Sequence, residues 1–491
     1  MSSPPPLLVA LSLLVSLSAQ TPEAPIDIGD RRELFVDRAL IEELDGVRME
    51  LATPRDEGAV FTFDRPWEGP FCGYATVVDD GDSFLLYYRG LPKAGGDGTN
   101  LERTCVAVSK DGRRFERPAL STYEVEGAAT NNVVLAGAAP VSHNFSPFLD
   151  AHVAADSPHR FKALGGNEAS GLIAYTSPDG LQWRRLRAEP VLTGAEFDSQ
   201  NVAFWSEHEQ RYVCYLRTWT GEGYAGIRTV SRATSKDFVT WTEPVEMEFT
   251  DGQGAKDHLY TNQTHPYMRA PHLYVAIAAR FMPGRQVLAE ADAQRLGVNP
   301  RYFRDCSDAV LLTSRGGARY DRTFREAFLR PGVGLQNWVS RSNYPALNVV
   351  QTGPAEMSFY VNQNYAQPTA ELRRYSLRLD GFASLRAGFE GGSVLTRRLR
   401  FGGDALELNF ATSAAGSVRV AVCDDAGAPL IGYGADDCVP LIGNEIGRRV
   451  TWRREGGPAS DDVSALRGRA VRLRFEIVDA DVFAMRFPAS R

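Results

Sequence analysis

Beyond Leu17 the chain has no run approaching about 20 uninterrupted apolar residues, so its body encodes no helical membrane span. Its six cysteines, at 72, 105, 214, 306, 423 and 438, include no Cys-x-x-Cys pair and no finger spacing, which excludes the usual structural zinc site. There is no Gly-x-Ser-x-Gly elbow, no Gly-x-x-x-x-Gly-Lys-Ser/Thr loop and no His-Glu-x-x-His pair, and the chemistries those phrases serve are set aside with them. Lysine is scarce, with five among 54 basic residues, and the net charge is -7. No basic field is available to draw in a nucleic acid or an anionic membrane.

What is present is ordinary globular material: 491 residues, 43% hydrophobic and 23% charged, enough for one large domain and a smaller one. Pro4 to Pro6 lead into an apolar run from Leu7 to Leu17 and then Ser18, Ala19 and Gln20. This predicts a signal peptide over residues 1–20 and a secreted or periplasmic protein with no membrane attachment after cleavage, although the only positive charge ahead of the run is the α-amino group. The other reading is a disordered leader. In an oxidising compartment Cys423 and Cys438, which flank a Gly- and Asp-rich loop, are the best candidate disulfide; otherwise all six cysteines serve as small apolar core residues.

One phrase recurs along the chain. Cys105-Val-Ala-Val-Ser-Lys-Asp-Gly-Arg-Arg-Phe115 is an alternating strand, a polar turn and an aromatic. It returns as Ile173-Ala-Tyr-Thr-Ser-Pro-Asp-Gly-Leu-Gln-Trp183, as Arg232-Ala-Thr-Ser-Lys-Asp-Phe-Val-Thr-Trp241 and as Leu312-Thr-Ser-Arg-Gly-Gly-Ala-Arg-Tyr320, with a weaker fifth copy in Tyr375-Ser-Leu-Arg-Leu-Asp-Gly-Phe382. Each describes a hairpin. A further strand pair precedes each copy, most clearly at Gly73–Val78 and Phe84–Tyr88 around the turn Asp79-Asp-Gly-Asp82. That turn resembles a calcium loop only in its acids, since the later ligands are missing.

Four strands per unit, five times over, predict an all-β fold: a five-bladed β-propeller over residues 31–385 with a pocket on its axis. The marker serines at 109, 177, 235 and 314 are 68, 58 and 79 residues apart, so the extra length lies in loops. The longest, Pro283 to Asp305, carries a short helical stretch from Val287 to Leu296 and is placed to wall one side of the pocket. Runs such as Val418-Arg-Val-Ala-Val422 and Val471-Arg-Leu-Arg-Phe475, without the repeated phrase, predict a C-terminal antiparallel β-sandwich over residues 386–488.

Five blades followed by a sandwich, with Asp-bearing segments ahead of inner strands, resemble the propeller glycosidases of glycoside hydrolase families 32 and 43 over residues 31 to 487. The Asn-Asp-Pro-Asn-Gly, Arg-Asp-Pro and Glu-Cys phrases of the sucrose-cleaving members do not occur here. With Glu33-Leu-Phe-Val-Asp37 and Trp67-Glu-Gly69, the chain is more similar to a branch of family 32-like bacterial proteins. The resemblance implies a glycosidase whose three carboxylates stand on the inner strands of the first three blades.

At those points the sequence offers Glu68 as base or nucleophile, Asp150 as the acid that orients the sugar, and Asp198 as general acid, with Asp257 in reserve; Asp64 lies beside Glu68. Any of these can instead be a turn residue satisfying backbone N–H groups. Asn144, Gln200, Asn201, His258, Tyr260, Asn337, Trp338 and Arg341 supply the amide, ring and guanidinium groups that suit a polyhydroxylated ligand, and Arg341 would also suit a carboxylate or sulfate on the sugar. The expected function is an exported glycoside hydrolase acting on an oligo- or polysaccharide. A non-catalytic carbohydrate-binding propeller and a phosphorylase or lyase on the same scaffold are the alternatives. No cofactor is expected, with a structural calcium ion left open.

Overall fold

The computed structural model describes residues 24–453 and 457–489; the signal peptide expected over residues 1–20 lies outside them. Among the described residues no helix is long and apolar enough to cross a membrane.

The propeller is built as the repeated phrase predicts. Blade one is the antiparallel sheet Gly73–Asp79, Phe84–Gly90, Arg103–Ser109 and Val133–Leu135. Blade two runs from Ser146–Leu149 to Arg184–Arg185, and blade three from Val202–Ser206 to Val245–Glu246. In blade four the inner strand is split into His258–Thr261 and His265–Tyr267, both paired with Ala270–Met282, which in turn pairs with Cys306–Ser314. Blade five has Tyr344–Pro345 and Val350–Gly353 inside, then Glu356–Gln363 and Glu371–Arg378.

The recurring serine ends the third strand of each of the first three blades and bonds the turn acid: Ser109 Oγ to Asp111 at 3.0 Å, Ser177 to Asp179 at 3.0 Å, and Ser235 to Asp237 at 2.9 Å. Each acid then accepts two backbone N–H groups, closing the turn. The turn glycine is also where blades meet. Gly180 has φ +74°, and a Cβ there would lie 2.3 Å from the Tyr87 hydroxyl of the preceding blade, which bonds the Gly180 carbonyl. Tyr360 of blade five meets Gly112 of blade one in the same way. The Asp79–Asp82 segment is a hairpin turn whose carboxylates accept local backbone N–H groups.

The outermost strand of blade five comes from the other end of the chain: Arg55–Thr62 pairs antiparallel with Glu371–Arg378 and closes the ring. This explains the weak fifth copy of the phrase. After Arg378 the chain turns at Asp380 and leaves the propeller, so no hairpin partner follows.

Residues 26–51 correct the expectation that the propeller begins at residue 31. Their strands Glu33–Leu34, Ile41–Asp45 and Val47–Leu51 join the C-terminal unit, as does Ala383–Ala387. That unit is one eight-stranded sheet organised on the paired strands Glu407–Cys423 and Arg472–Arg486, whose register breaks between Thr412 and Ser417. A bulge there bends the ribbon, and Phe35, Leu385, Val394, Phe410, Val420, Trp452 and Phe475 from both halves share one core. All six cysteines are buried and free, including Cys423 and Cys438, and Cys438 Sγ accepts the Val420 N–H. They behave as small apolar residues.

Across the axis, blade five meets blade one directly, through the bridge of Thr76 with Leu347. Gln200 donates to Thr76 Oγ1 at 2.8 Å, while Gln263 donates to Gln200 Oε1 and to the Pro345 carbonyl, both at 2.7 Å. This belt closes the axis. On the side where the inner strands end lies a mainly apolar hollow of about 350 Å³ lined by Val77, Phe148, Phe204 and Leu347. His265 stands beside it, its Nδ1–H directed to the Gln263 carbonyl and its Nε2 accepting the Val349 N–H at 3.0 Å.

Burial pushes His265 down to about 4, against the opposing pull of the Gln263 carbonyl. An unfolded histidine titrates near 6.5, so the stability that neutral His265 contributes is full above about pH 6.5 and is lost as pH falls toward 4; the span corresponds to about 3 kcal/mol. Denaturant unfolding of the wild type and of His265→Asn at about pH 7.5 and about pH 4.5 should show a drop roughly 2 kcal/mol smaller in the variant. Equal drops would remove His265 from the acid response.

Candidate active site

The polar end of the axis is the one where the inner strands begin and the second strands end. Arg89 and Arg217 each close an apolar second strand there, and Tyr74, Tyr260 and Tyr344 stand at the starts of inner strands. Three segments at this end hold strained backbone: Tyr74, Phe197 and Arg341 have φ of +50°, +51° and +60°. Such conformations persist only where surrounding bonds impose them. Around Phe197, Asn144 and Asn201 both donate to the carbonyls of Phe197 and Ser199. Next to Arg341, Asn343 donates to the Ser307 and Asn337 carbonyls.

These segments bring charge to the axis. Asp198, 29% exposed, pairs with Arg217 Nη1 at 3.1 Å, and Arg217 also donates to the Tyr260 carbonyl. Arg341, 24% exposed, donates to the Tyr365 hydroxyl at 3.2 Å and faces Asp97 at 3.6 Å. The guanidinium carbons of Arg217, Arg228 and Arg341 lie 4.5, 5.3 and 5.6 Å from the centre of the Tyr260 ring. Burial opposes ionisation of Tyr260, but Arg341 and Arg217 outweigh it and hold the phenol below the ordinary tyrosine range. His258 accepts the Arg228 backbone N–H on Nδ1; burial and the adjacent Arg228 hold its pKa down and keep the ring neutral.

Asp97, Glu102 and His143 place ligand atoms within 4.8 Å of one another, an arrangement that would suit a cation. Arg89 Nη1 already stands among them, at 3.3 Å from Asp97, 3.2 Å from Glu102 and 3.2 Å from His143. The guanidinium supplies the positive charge there. It outweighs the effect of burial on Asp97, and with Arg341 and His143 it holds that carboxyl below its usual range. Glu196 is the opposite case: burial, with Asp198 and Glu168 nearby, pushes it up. Glu196 and Asp198, separated by one residue, thus stand in contrasting settings, one raised by burial and the other ion-paired to Arg217.

The sequence-derived candidates divide clearly. Asp198, His258, Tyr260 and Arg341 gather at this end. Glu68 does not: it is wholly buried in blade one, accepting from Tyr88 Oη, from Arg117 Nε and Nη2 at 2.8 Å each, and from the Arg65 N–H. Asp64 pairs with the same Arg117, at 3.1 Å. Asp150 follows the inner strand of blade two, at the apolar end of the axis, where it pairs with Lys162 and accepts from Tyr212 Oη at 2.8 Å. Asp257 and Trp338 border a separate hollow of about 490 Å³ with Arg280 and Asp308. Asn144, Asn201 and Asn337 spend their amides on backbone or on Gln363, and Gln200 belongs to the axial belt. The long insertion does wall the site: its helix spans Glu290–Leu296, and Tyr302 stacks over Arg341 at 5.3 Å.

Sequence reasoning missed Arg89, Arg217, Arg228, Asp97, Glu102, His143 and Glu196. A signal for two of them was present, because Tyr87-Tyr-Arg89 and Tyr215-Leu-Arg217 end buried apolar strands in a charge. A guanidinium in such a position has to find partners at the strand end.

Fold and site together define an all-β chain with five blades arranged in a ring and a cluster of arginine, tyrosine and carboxylate side chains at one end of the axis. No protein-family model and no curated protein matches the chain. Among solved structures it is similar to an N-acetylgalactosamine deacetylase from F. plautii in complex with blood group B trisaccharide, at 13% identity and a TM-score of 0.44 over 68% of this chain and 96% of that one. It is also similar to a family GH32 β-fructofuranosidase of Bombyx mori, at 12% and 0.41 over 88% and 94%, and to a β-1,2-mannobiose phosphorylase from Listeria innocua, at 11% and 0.42 over 67% and 97%.

Glu68→Gln should leave Arg117 with only the more exposed Asp64 as counter-charge and destabilise the fold by about 3 kcal/mol, while any ligand binding or activity at the axis changes less than about twofold. Urea unfolding and titration with ligand check both halves. A stable but inactive Glu68→Gln protein would return Glu68 to the site.

Proposed function

We propose that the chain is an exported glycoside hydrolase that works at the polar end of the propeller axis. The carrying observation is the segment Glu196-Phe-Asp198, in which a carboxylate paired to Arg217 and a second carboxyl, whose pKa burial raises, flank a strained, fully buried phenylalanine. Glycoside cleavage needs this division of labour: one carboxyl gives a proton to the leaving oxygen while another carboxylate attacks or activates water. Glu196 takes the first role and Asp198 the second, with Asp97 and Glu102 held beside Arg89. Asn144 and Asn201 are positioning residues, acting through the Phe197 and Ser199 carbonyls. The insertion carrying Tyr302 walls one side, favouring the end of a glycan over its middle. Export rests on the apolar leader and its small-residue exit.

Assay on a panel of aryl glycosides and polysaccharides tests the reading. Asp198→Asn should lower kcat/KM by a factor of about 10² to 10⁴. Glu196→Gln should lose most activity on substrates with poor leaving groups, retain it on dinitrophenyl glycosides, and abolish the fall in rate at high pH that deprotonation of Glu196 causes. Full activity in both variants would overturn the assignment, and turnover that requires inorganic phosphate would replace hydrolysis by phosphorolysis.

A further inference from the structure

Resting on the carbohydrate reading above, we infer that the pocket takes a sugar bearing an oxyanion, a carboxylate, sulfate or phosphate group, and that Arg228 receives it between Arg217 and Arg341.

Arg228 opens the third strand of blade three and is packed against three rings, with its guanidinium carbon 4.3 Å from the centre of Trp219, 5.0 Å from Phe281 and 5.3 Å from Tyr260. Arg217 and Arg341 each have a carboxylate, Asp198 and Asp97. Arg228 has none: among the described residues no carboxylate forms an ion pair with it, and its side-chain contact is the neutral ring of His258 at 3.3 Å. Burial and the neighbouring Arg217 both press its pKa down, so the site holds a guanidinium in a setting that lacks its counter-charge.

Hydrogen-bond supply leans the same way. The buried Nε–H groups of Arg89, Arg217 and Arg228 and the Tyr344 hydroxyl have no acceptor. Four guanidinium groups at this end, Arg89, Arg217, Arg228 and Arg341, face the carboxylates Asp97, Glu102 and Asp198, with Glu196 next to Asp198; Arg228 is the one of the four with no carboxylate in an ion pair. Donors are in excess. A neutral sugar brings hydroxyl groups that donate as well as accept, whereas an oxyanion brings acceptors only and satisfies a guanidinium fork with two parallel bonds.

Isothermal titration of the full chain with D-glucuronate, D-galacturonate, glucose 6-sulfate and glucose 6-phosphate, against glucose and galactose, tests the proposal without requiring turnover. At least one anionic sugar should bind tenfold or more tightly than its neutral parent, and Arg228→Gln should remove that advantage. Arg228→Lys, which keeps charge but not the fork, should recover part of it, and unchanged melting temperatures show that both variants are folded. Uronates responding alone assign a carboxylate; the sulfated or phosphorylated sugar responding alone assigns a tetrahedral ester. Inorganic sulfate or phosphate binding as tightly as any sugar assigns a free oxyanion and overturns the sugar-borne group. Equal affinity for anionic and neutral sugars, or anion affinity within threefold of wild type in both variants, overturns the proposal altogether. Asp198-dependent hydrolysis of neutral glycosides alongside either failure would leave the hydrolase reading standing.

Discussion

The antiparallel pairing of Arg55–Thr62 with Glu371–Arg378 is the constraint on which the molecule depends. It joins segments more than 300 residues apart and turns an open row of four-stranded sheets into a ring without sheet edges at the seam. Charges reinforce it: Arg373 pairs with Asp56 at 3.0 Å and Arg374 with Glu57 at 3.4 Å. Only with the ring closed does blade five reach blade one at Thr76 and Leu347, and only then do the starts of five inner strands converge. The charged cluster at that end is a consequence of closure.

The second unit secures the same seam. Both ends of the propeller chain enter one sheet, and the segment Glu33-Leu-Phe-Val-Asp37 lies between the two units. Glu33 and Asp37 share Arg315, which sits in the repeated turn of blade four, at 2.7 and 2.8 Å. Buried Asp380, at the exit from blade five, faces Arg32 and Arg269 and accepts from Tyr267 Oη and Asn409. Each acid is desolvated and each is met by at least one guanidinium, the condition under which buried charge specifies an interface rather than weakening it. The acidic phrase near the front of the sequence therefore belongs to assembly.

How much of this was legible follows from what each signal encodes. The five blades were, because alternation of period two and a serine–aspartate turn are local and repeat. The N-terminal strands were not assigned correctly, since a short strand shows its alternation but not its partner, and the partners of Ile41–Asp45 and Val47–Leu51 lie more than 330 residues away. Among site residues, Asp198 and Glu68 present the same sequence signal, an acid ahead of a strand. One faces the axis and the other is enclosed by Tyr88 and Arg117, a difference set wholly by tertiary contacts. Asn144 and Asn201, expected at a ligand, instead bond the carbonyls of the loop that carries Asp198.

That support bears on what the pocket can do. Left-handed conformations at Tyr74, Phe197 and Arg341 each carry strain on the order of 1–3 kcal/mol. The bonds that impose them, from Asn144 and Asn201 on one side and Asn343 on another, are buried and come from different blades. Releasing one side chain would require breaking several of these together, so the guanidinium and carboxyl groups at the axis are held at set separations before any ligand arrives. Four arginines so close would repel one another apart if the backbone could yield. Their confinement holds the guanidinium groups as a fixed array at this end of the axis.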